Sequence, residues 1–244
     1  MFLQNLIAKT HSTIFGYEPV LKYLHSRFVT DDEIRQFKIG YSKVVTLADD
    51  GTEDYREISA QSHKGRKLEN KIILPIFDMM GTPVGMITRS PEVKKYGLYL
   101  TRAGKDLGAM FGLYQALPAI YLTDCVFIVE GSFDLLAFRK ARQNVVATNT
   151  AELTKAQYEQ LRFYADNIIT VFDSDGPGRA ATERAKENFS GIQSMDLGFK
   201  DPSNCLAYCG TVKKFSERVE SKAGEHAETW VRKYRAEKQT KGMA

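Results

Sequence analysis

Apolar residues recur at helical spacing at the start of the chain, first at Leu3, Leu6 and Ile7 and then at Val20, Leu21 and Leu24, and they predict helices through about residue 40. Thr30-Asp-Asp-Glu33 has the form of a capping box, which starts a helix running to about Phe37. Between residues 41 and 105, Asp49-Asp-Gly51 and Met79-Met-Gly-Thr-Pro83 read as turns between strands. The second predicts a hairpin joining 71–77 to 84–89 in a small, partly antiparallel β region. From Val126 the pattern alternates: strand 126–129, helix 132–142, strand 144–148, helix 154–165, strand 167–172, helix 178–189 and strand 192–197. Val126 to Val129 shows no polar alternation, so it predicts a strand buried on both faces. A strand–helix series of this kind winds right-handed into a parallel sheet, which makes the fold class α/β with a smaller α+β region ahead of the sheet. Beyond residue 210 the sparse apolar positions Phe215, Val219, Trp230, Val231 and Tyr234 predict a docked helix that frays into a charged tail. The expected division is 1–118, 119–210 and 211–244.

Two of the predicted strands end abruptly in acid and glycine, at Glu130-Gly131-Ser-Phe-Asp134 and at Asp173-Ser-Asp175-Gly176. Chemistry in open α/β sheets collects beyond the carboxyl ends of the strands, so Glu130, Asp134, Asp173 and Asp175 are expected to share one crevice. Carboxylates so close repel one another unless a cation lies between them, and Mg²⁺ suits an all-oxygen site that keeps waters for a phosphate substrate. Each acid also has a plainer reading. Asp134 suits the positive end of a helix dipole, and Asp175 could cap the helix that follows it.

At 244 residues, 43% hydrophobic and 26% charged, the composition is that of a globular protein with room for a real core. No apolar stretch approaches the length of a bilayer span, and Met1-Phe-Leu-Gln-Asn-Leu6 lacks the features of a secretory signal, so a cytoplasmic protein away from membranes is expected. Cys205 and Cys209 form a C-x₃-C without a second pair, which argues against zinc. A net charge of +4 says little, but basic residues concentrate between Lys64 and Lys105. A basic surface beside an acidic metal pocket is what polynucleotide chemistry requires, although a solvated charged face is the usual explanation of such a run taken alone.

The paired acidic motifs resemble the Toprim domain of bacterial-type primases, topoisomerases and several nucleases. Glu130-Gly-Ser-Phe-Asp134-Leu-Leu-Ala-Phe is similar to the "EGYxDVxAL" of DnaG-type primases, Asn149 to Thr154 to "GTALT", and Asp173 to Ala181 to "DxDxAGxxAA". Upstream, Tyr23 to Arg27 with Glu33 to Tyr41, then Asn70 to Ile76, Gly81 to Arg89 and Phe111 to Tyr114 resemble further primase segments. The likeness covers roughly residues 15–210 and implies the RNA-polymerase core of a DnaG-type primase, with a Toprim-type parallel sheet at 119–210. It implies Mg²⁺ or Mn²⁺ held by Glu130, Asp173 and Asp175, with Asp134 and Asp201 completing or orienting the shell. It further implies a single-stranded DNA template, ribonucleoside triphosphates as substrates, and nucleotide or template contacts at Arg89 and Lys71, with Lys67 and Lys105 as further candidates.

Some positions depart from that pattern. Asp201-Pro202-Ser203 stands where the family often has Asp-Pro-Asp, and Asn149 replaces the glycine of "LGT". The zinc module that begins bacterial primases has no ligand set here, so no zinc is expected, and a replicative helicase or a separate zinc-module protein becomes an expected partner. Two rival readings stay open at this point. One is a Toprim nuclease or topoisomerase-like enzyme, which would favour a tyrosine or a general base near the metal. The other is a catalytically inactive, nucleic-acid-binding, primase-like subunit.

Overall fold

The computed structural model describes residues 2–46, 67–92 and 96–224. The predicted turn at Asp49–Gly51, the basic residues Lys64, Arg66, Lys94 and Lys95, and the charged tail after residue 224 lie outside the described residues. The helical start comprises α1 (Phe2–Thr13), α2 (Glu18–Ser26) and α3 (Asp31–Gln36). The predicted capping box forms at α3: Glu33 N donates to Thr30 Oγ1 at 3.3 Å, and Thr30 N donates to Glu33 Oε2 at 2.8 Å. Two amides that a helix start leaves without partners are thereby satisfied.

An antiparallel sheet follows in the order β1 (Gly40–Thr46), β2 (Lys67–Phe77), β3 (Pro83–Arg89) and β4 (Tyr96–Leu100). The predicted β2–β3 hairpin turns on Asp78, whose Oδ1 accepts from Met80 N and Thr82 N at 2.9 Å each. Side chains alternate between the faces of a strand, and the pleat divides this sheet into two surfaces. Leu68, Ile73 and Met86 pack on Leu3, Leu6 and Ile7 of α1, while Tyr41, Ile72, Leu74 and Ile76 enter the main core.

Two connecting helices, α4 (Arg102–Asp106) and α5 (Leu113–Thr123), lead to a parallel sheet of order β6–β5–β7–β8. Its strands are β5 (Cys125–Val129), β6 (Val145–Ala147), β7 (Asn167–Thr170) and β8 (Ile192–Ser194), linked by α6 (Ser132–Phe138), α7 (Lys155–Tyr164) and α8 (Gly176–Asn188). α9 (Pro202–Cys209) and a helix over 212–224, α10, complete the described chain. All five residues of β5 are buried, as expected of a central strand covered on both faces. The fold is thus the expected α/β class, a parallel sheet flanked by helices behind an antiparallel sheet with its own helices.

Boundaries differ from the sequence-based expectation where side chains intercept the backbone. The helix expected over 132–142 stops at Phe138, and Arg139 and Gln143 then close a turn by exchanging side-chain-to-carbonyl bonds of 3.1 and 2.9 Å. The strand expected over 144–148 shrinks to Val145–Ala147, because the chain turns out of the ladder into Asn149 at φ 55°. Strands 167–172 and 192–197 end early, at Thr170 and Ser194. α5 was not foreseen, and it accommodates Pro118 inside it.

One hydrophobic cluster runs through both sheets. Ile34, Phe37 and Ile72 from the amino-terminal part meet Phe127, Leu135 and Phe138, and Phe215 and Val219 of α10 join the same cluster. A second cluster covers the opposite face of the parallel sheet, where Val126, Ile128 and Ile168 pack against α5, α7 and α8. Among the described residues no helix is long and apolar enough to cross a membrane.

Candidate active site

Glu130 is the residue after β5, and Asp173 follows β7, the hydrogen-bonded neighbour of β5, by three residues. Both acids therefore leave the carboxyl ends of adjacent parallel strands. Asp173 N donates to Glu130 Oε1 at 3.1 Å, which ties the two loops together. Gly178 lets α8 close on this junction, since a Cβ there would collide with the Asp173 carbonyl oxygen. Asp134 enters from the first turn of α6, and its Oδ1 accepts from Ser203 Oγ at 2.7 Å and Ser203 N at 3.3 Å.

Glu130, Asp134 and Asp173 line a crevice of about 320 Å³ between the two sheets, which Arg27, Arg89 and Tyr96 also line. Arg89 pairs with Ile72 and Tyr96 across the antiparallel sheet, and it is on the side of the pleat that carries Leu74 and Ile87 to the crevice. Its Nε is buried and meets no hydrogen-bond acceptor among the described residues. An unmet guanidinium donor beside an open cavity suits an anionic oxygen. The Arg27 guanidinium lies 5.4 Å from the Phe133 ring centroid, in cation–π range, and its charge acts on Asp134.

The carboxylates strain against one another. Burial, then the charges of Glu130, Asp134, Asp201 and Asp175, push Asp173 up to about 7. Burial and the charge of Asp201 raise Asp134 to about 6, against the pull of the Ser203 donors and Arg27. Burial also raises Glu130, with the charges of Asp175 and Asp201 adding to it and the Asp173 amide opposing it. Mutual repulsion of this kind is relieved by a divalent cation.

The other expected residues are placed differently. Asp175 caps α8 by accepting from Gly178 N at 3.0 Å, and Asp201 caps α9 by accepting from Asn204 N at 2.7 Å. Neither lines the crevice, although both charges reach Asp173. Lys71 was expected to face the crevice, but strand alternation turns it to the sheet face opposite Ile72 and Leu74. Lys105 stands exposed on α4, away from the crevice lining. Lys67 opens β2, and its side chain lies outside the described residues. Arg27 was not among the expected site residues, and its only sequence signal was its place at the end of the Tyr23–Arg27 segment.

The donor set fits Mg²⁺ or Mn²⁺. It consists of oxygens alone, and among the described residues no three His, Cys, Asp or Glu side chains are gathered into a ready-made cage. A cation of this kind can be held by one or two carboxylates, with waters and phosphates as its other ligands.

Residues 127–206 match the Toprim-like family, the segment that carries Glu130, Asp134, Asp173, Asp175 and Asp201. The DNA primase of Treponema pallidum (strain Nichols) is 30% identical over 229 residues, an alignment covering 80% of this chain and 36% of that protein. The chain is a relative of the DnaG-type primase catalytic core. It spans about a third of the length of the curated primases it matches (36%). The zinc-binding and RNA-polymerase domains of the Aquifex aeolicus primase superpose with a TM-score of 0.73 at 22% identity, covering 90% of this chain and 59% of that one. A DnaG primase catalytic domain bound to single-stranded DNA gives 0.72 at 20% identity, over 90% and 79% of the two chains.

The primase-type fold accounts for one departure noted in the sequence. The backbone at Asn149 is left-handed, a conformation that glycine adopts freely and asparagine tolerates better than most residues. Here the asparagine also takes up neighbouring groups. Asn149 N donates to Glu130 O at 2.8 Å, its Nδ2 donates to Ala147 O at 3.0 Å, and its Oδ1 accepts from Ser132 Oγ at 2.6 Å. The loop after β6 is thereby fastened to the loop that carries Glu130.

Proposed function

We propose that this chain is the catalytic core of a DNA primase, which joins ribonucleoside triphosphates on a single-stranded DNA template with release of pyrophosphate. The observation that carries the reading is the crevice itself. Glu130 and Asp173 leave adjacent parallel strand ends, and Arg27, Arg89 and Tyr96 line the same cavity. Glu130 and Asp173 would hold Mg²⁺ or Mn²⁺, which when bound supplies charge neutralisation of the triphosphate and activation of the attacking 3′-hydroxyl. Asp134, Asp175 and Asp201 add negative charge around that pair; Asp175 and Asp201 cap α8 and α9, and Asp134 ties α6 to Ser203 of α9. Arg89 offers its unmet donor to a phosphate oxygen, and its planar fork can grip two such oxygens where lysine could not. Tyr96, 67% exposed at the cavity edge, offers a ring face on which a template base can stack. A zinc-module protein and a replicative helicase remain proposed partners; the Aquifex aeolicus primase carries zinc-binding and RNA-polymerase domains together, which supports a working link between two such modules.

Tyr96 also gives the nuclease reading one concrete observation, because a phenol lines the metal crevice. A single experiment separates the two. The chain is incubated with Mg²⁺ or Mn²⁺, single-stranded DNA and labelled ribonucleotides. New oligoribonucleotides establish the primase, whereas shortened DNA with no labelled product establishes cleavage.

A further inference from the structure

The acids around the crevice differ in how far their oxygens are already engaged. Asp201 accepts from Asn204 twice, through Oδ1 from the amide at 2.7 Å and through Oδ2 from the side-chain Nδ2. Asp175 gives Oδ1 to Gly178 N, and its Oδ2 has Lys200 Nζ at 3.8 Å. Asp134 gives Oδ1 to both donors of Ser203, and its Oδ2 lies so near Gly131 that a Cβ there would approach it to 2.6 Å. The pair formed by Glu130 and Asp173 is different. Glu130 uses only Oε1, toward Asp173 N, and no donor reaches the Asp173 carboxylate among the described residues.

We propose that the chain takes one divalent cation tightly, at Glu130 and Asp173, and that Ser203 keeps Asp134 out of a second site by holding its Oδ1 in two hydrogen bonds. The inference rests on the metal-dependent reading of the crevice given above and goes beyond it in the number of ions and in the role of Ser203. The chemistry turns on the sign of one side chain. An aspartate at position 203 would be an acceptor facing the acceptor Asp134, and two carboxylates so placed need a cation between them. A serine hydroxyl is a donor, so it satisfies Asp134 without any ion. Ser203 is thus a positioning residue that acts through Asp134. Asp134 Oδ1 and both oxygens of Asp201 are taken up by protein donors, and the Asp173 carboxylate is left open.

The test is a Mn²⁺ titration of the full chain, with the free aquo ion followed by electron paramagnetic resonance. The unaltered protein is expected to bind one ion tightly, and Asp173→Asn to lose it. Asp134→Asn is expected to keep that ion with a loss of roughly tenfold, the low end of an outer-shell effect. Ser203→Asp is expected to gain a second tightly bound ion. Two ions of equal affinity on the unaltered protein would overturn the proposal, as would a folded Ser203→Asp variant that still binds one. Should Ser203→Asp fail to fold, Asp134→Asn decides, because loss of the tight ion in that variant would place Asp134 in the first shell. No Mn²⁺ bound by the unaltered chain would overturn both this inference and the metal-dependent reading. One ion bound without any primer synthesis would support this inference and count against the primase assignment alone.

Discussion

Asp173 carries the most demanding position in the molecule, surrounded by four other carboxylates and accepting from no donor among the described residues. Its neutral isostere should fold and fail. Asp173→Asn is expected to lower primer synthesis by ~10³-fold or more, since a cation's charge stabilisation is worth several kcal/mol and each ~1.4 kcal/mol is tenfold in rate. A single-turnover primer assay reads this directly, and near-normal rates would remove Asp173 from the chemistry. In the proposed reading Arg89 acts through binding rather than chemistry. Arg89→Ala is expected to raise the apparent constant for nucleotide or template about 10- to 100-fold, the worth of a charge-assisted hydrogen bond of roughly 1.5–3 kcal/mol. Arg89→Lys should recover only part of that, because the ammonium cannot reproduce the fork. Full recovery by lysine would show that charge alone is at work.

Elements place these residues, and it is at this scale that the sequence was most legible. The βαβ series could be read because Val126–Val129 and Ile168–Thr170 are unbroken apolar runs closed by acid and glycine, and the strand ends assembled Glu130 and Asp173 as expected. Lys71 and Lys105 could not be placed in that way. Strand alternation and the seat of a short helix decide which way such a side chain turns, and motif similarity carries neither. The cap at Asp175 and the Ser203–Asp134 pairing depend on contacts between residues 3 and 69 positions apart, and only the first is local enough to read from a sequence. One long-range contact makes a prediction of its own. Lys140, just past α6, forms an ion pair with Glu33 of α3, and both side chains are nearly buried (10% and 13% exposed). Lys140→Met removes the cation paired with Glu33, leaving it the charge of Arg139 and the Thr30 donors, and is expected to cost at most roughly 3 kcal/mol, the low end for breaking a buried pair. Urea unfolding measures it, and a loss below about 1 kcal/mol would class the pair with surface bridges.

For the molecule as a whole, the acidic crevice couples stability to pH, and in the proposed reading to metal as well. Asp173 and Asp134 titrate at about 7 and about 6 in the folded protein, above their ordinary value of 3.8. The folded state therefore holds those protons more tightly than the unfolded chain does. Their contribution is fully present below pH ~4 and is lost as pH rises through the folded values, between about 4 and 7. Without metal, the thermal midpoint is expected to fall from pH 5 to pH 8, and Asp173→Asn should flatten that decline. Millimolar Mg²⁺ at pH 8 should restore the midpoint, because the ion binds the folded site and not the unfolded chain. Differential scanning fluorimetry with EDTA and with Mg²⁺ supplies both curves. A midpoint that climbs steadily toward pH 8 in EDTA, with the same slope in Asp173→Asn, would show that the crevice acids do not govern it.

The hydrophobic cluster shared by the two sheets bears on how this protein can be taken apart. Phe37 and Phe111 pack with ring centroids 5.2 Å apart, and the same cluster continues into Phe127 and Phe138. Cutting the chain between the sheets would expose a broad apolar surface on each fragment, of the kind that drives aggregation. A fragment of residues 119–210 made without its amino-terminal partner should therefore be recovered as insoluble or molten material, and the intact chain should melt in one cooperative step with the crevice lost along with both its walls.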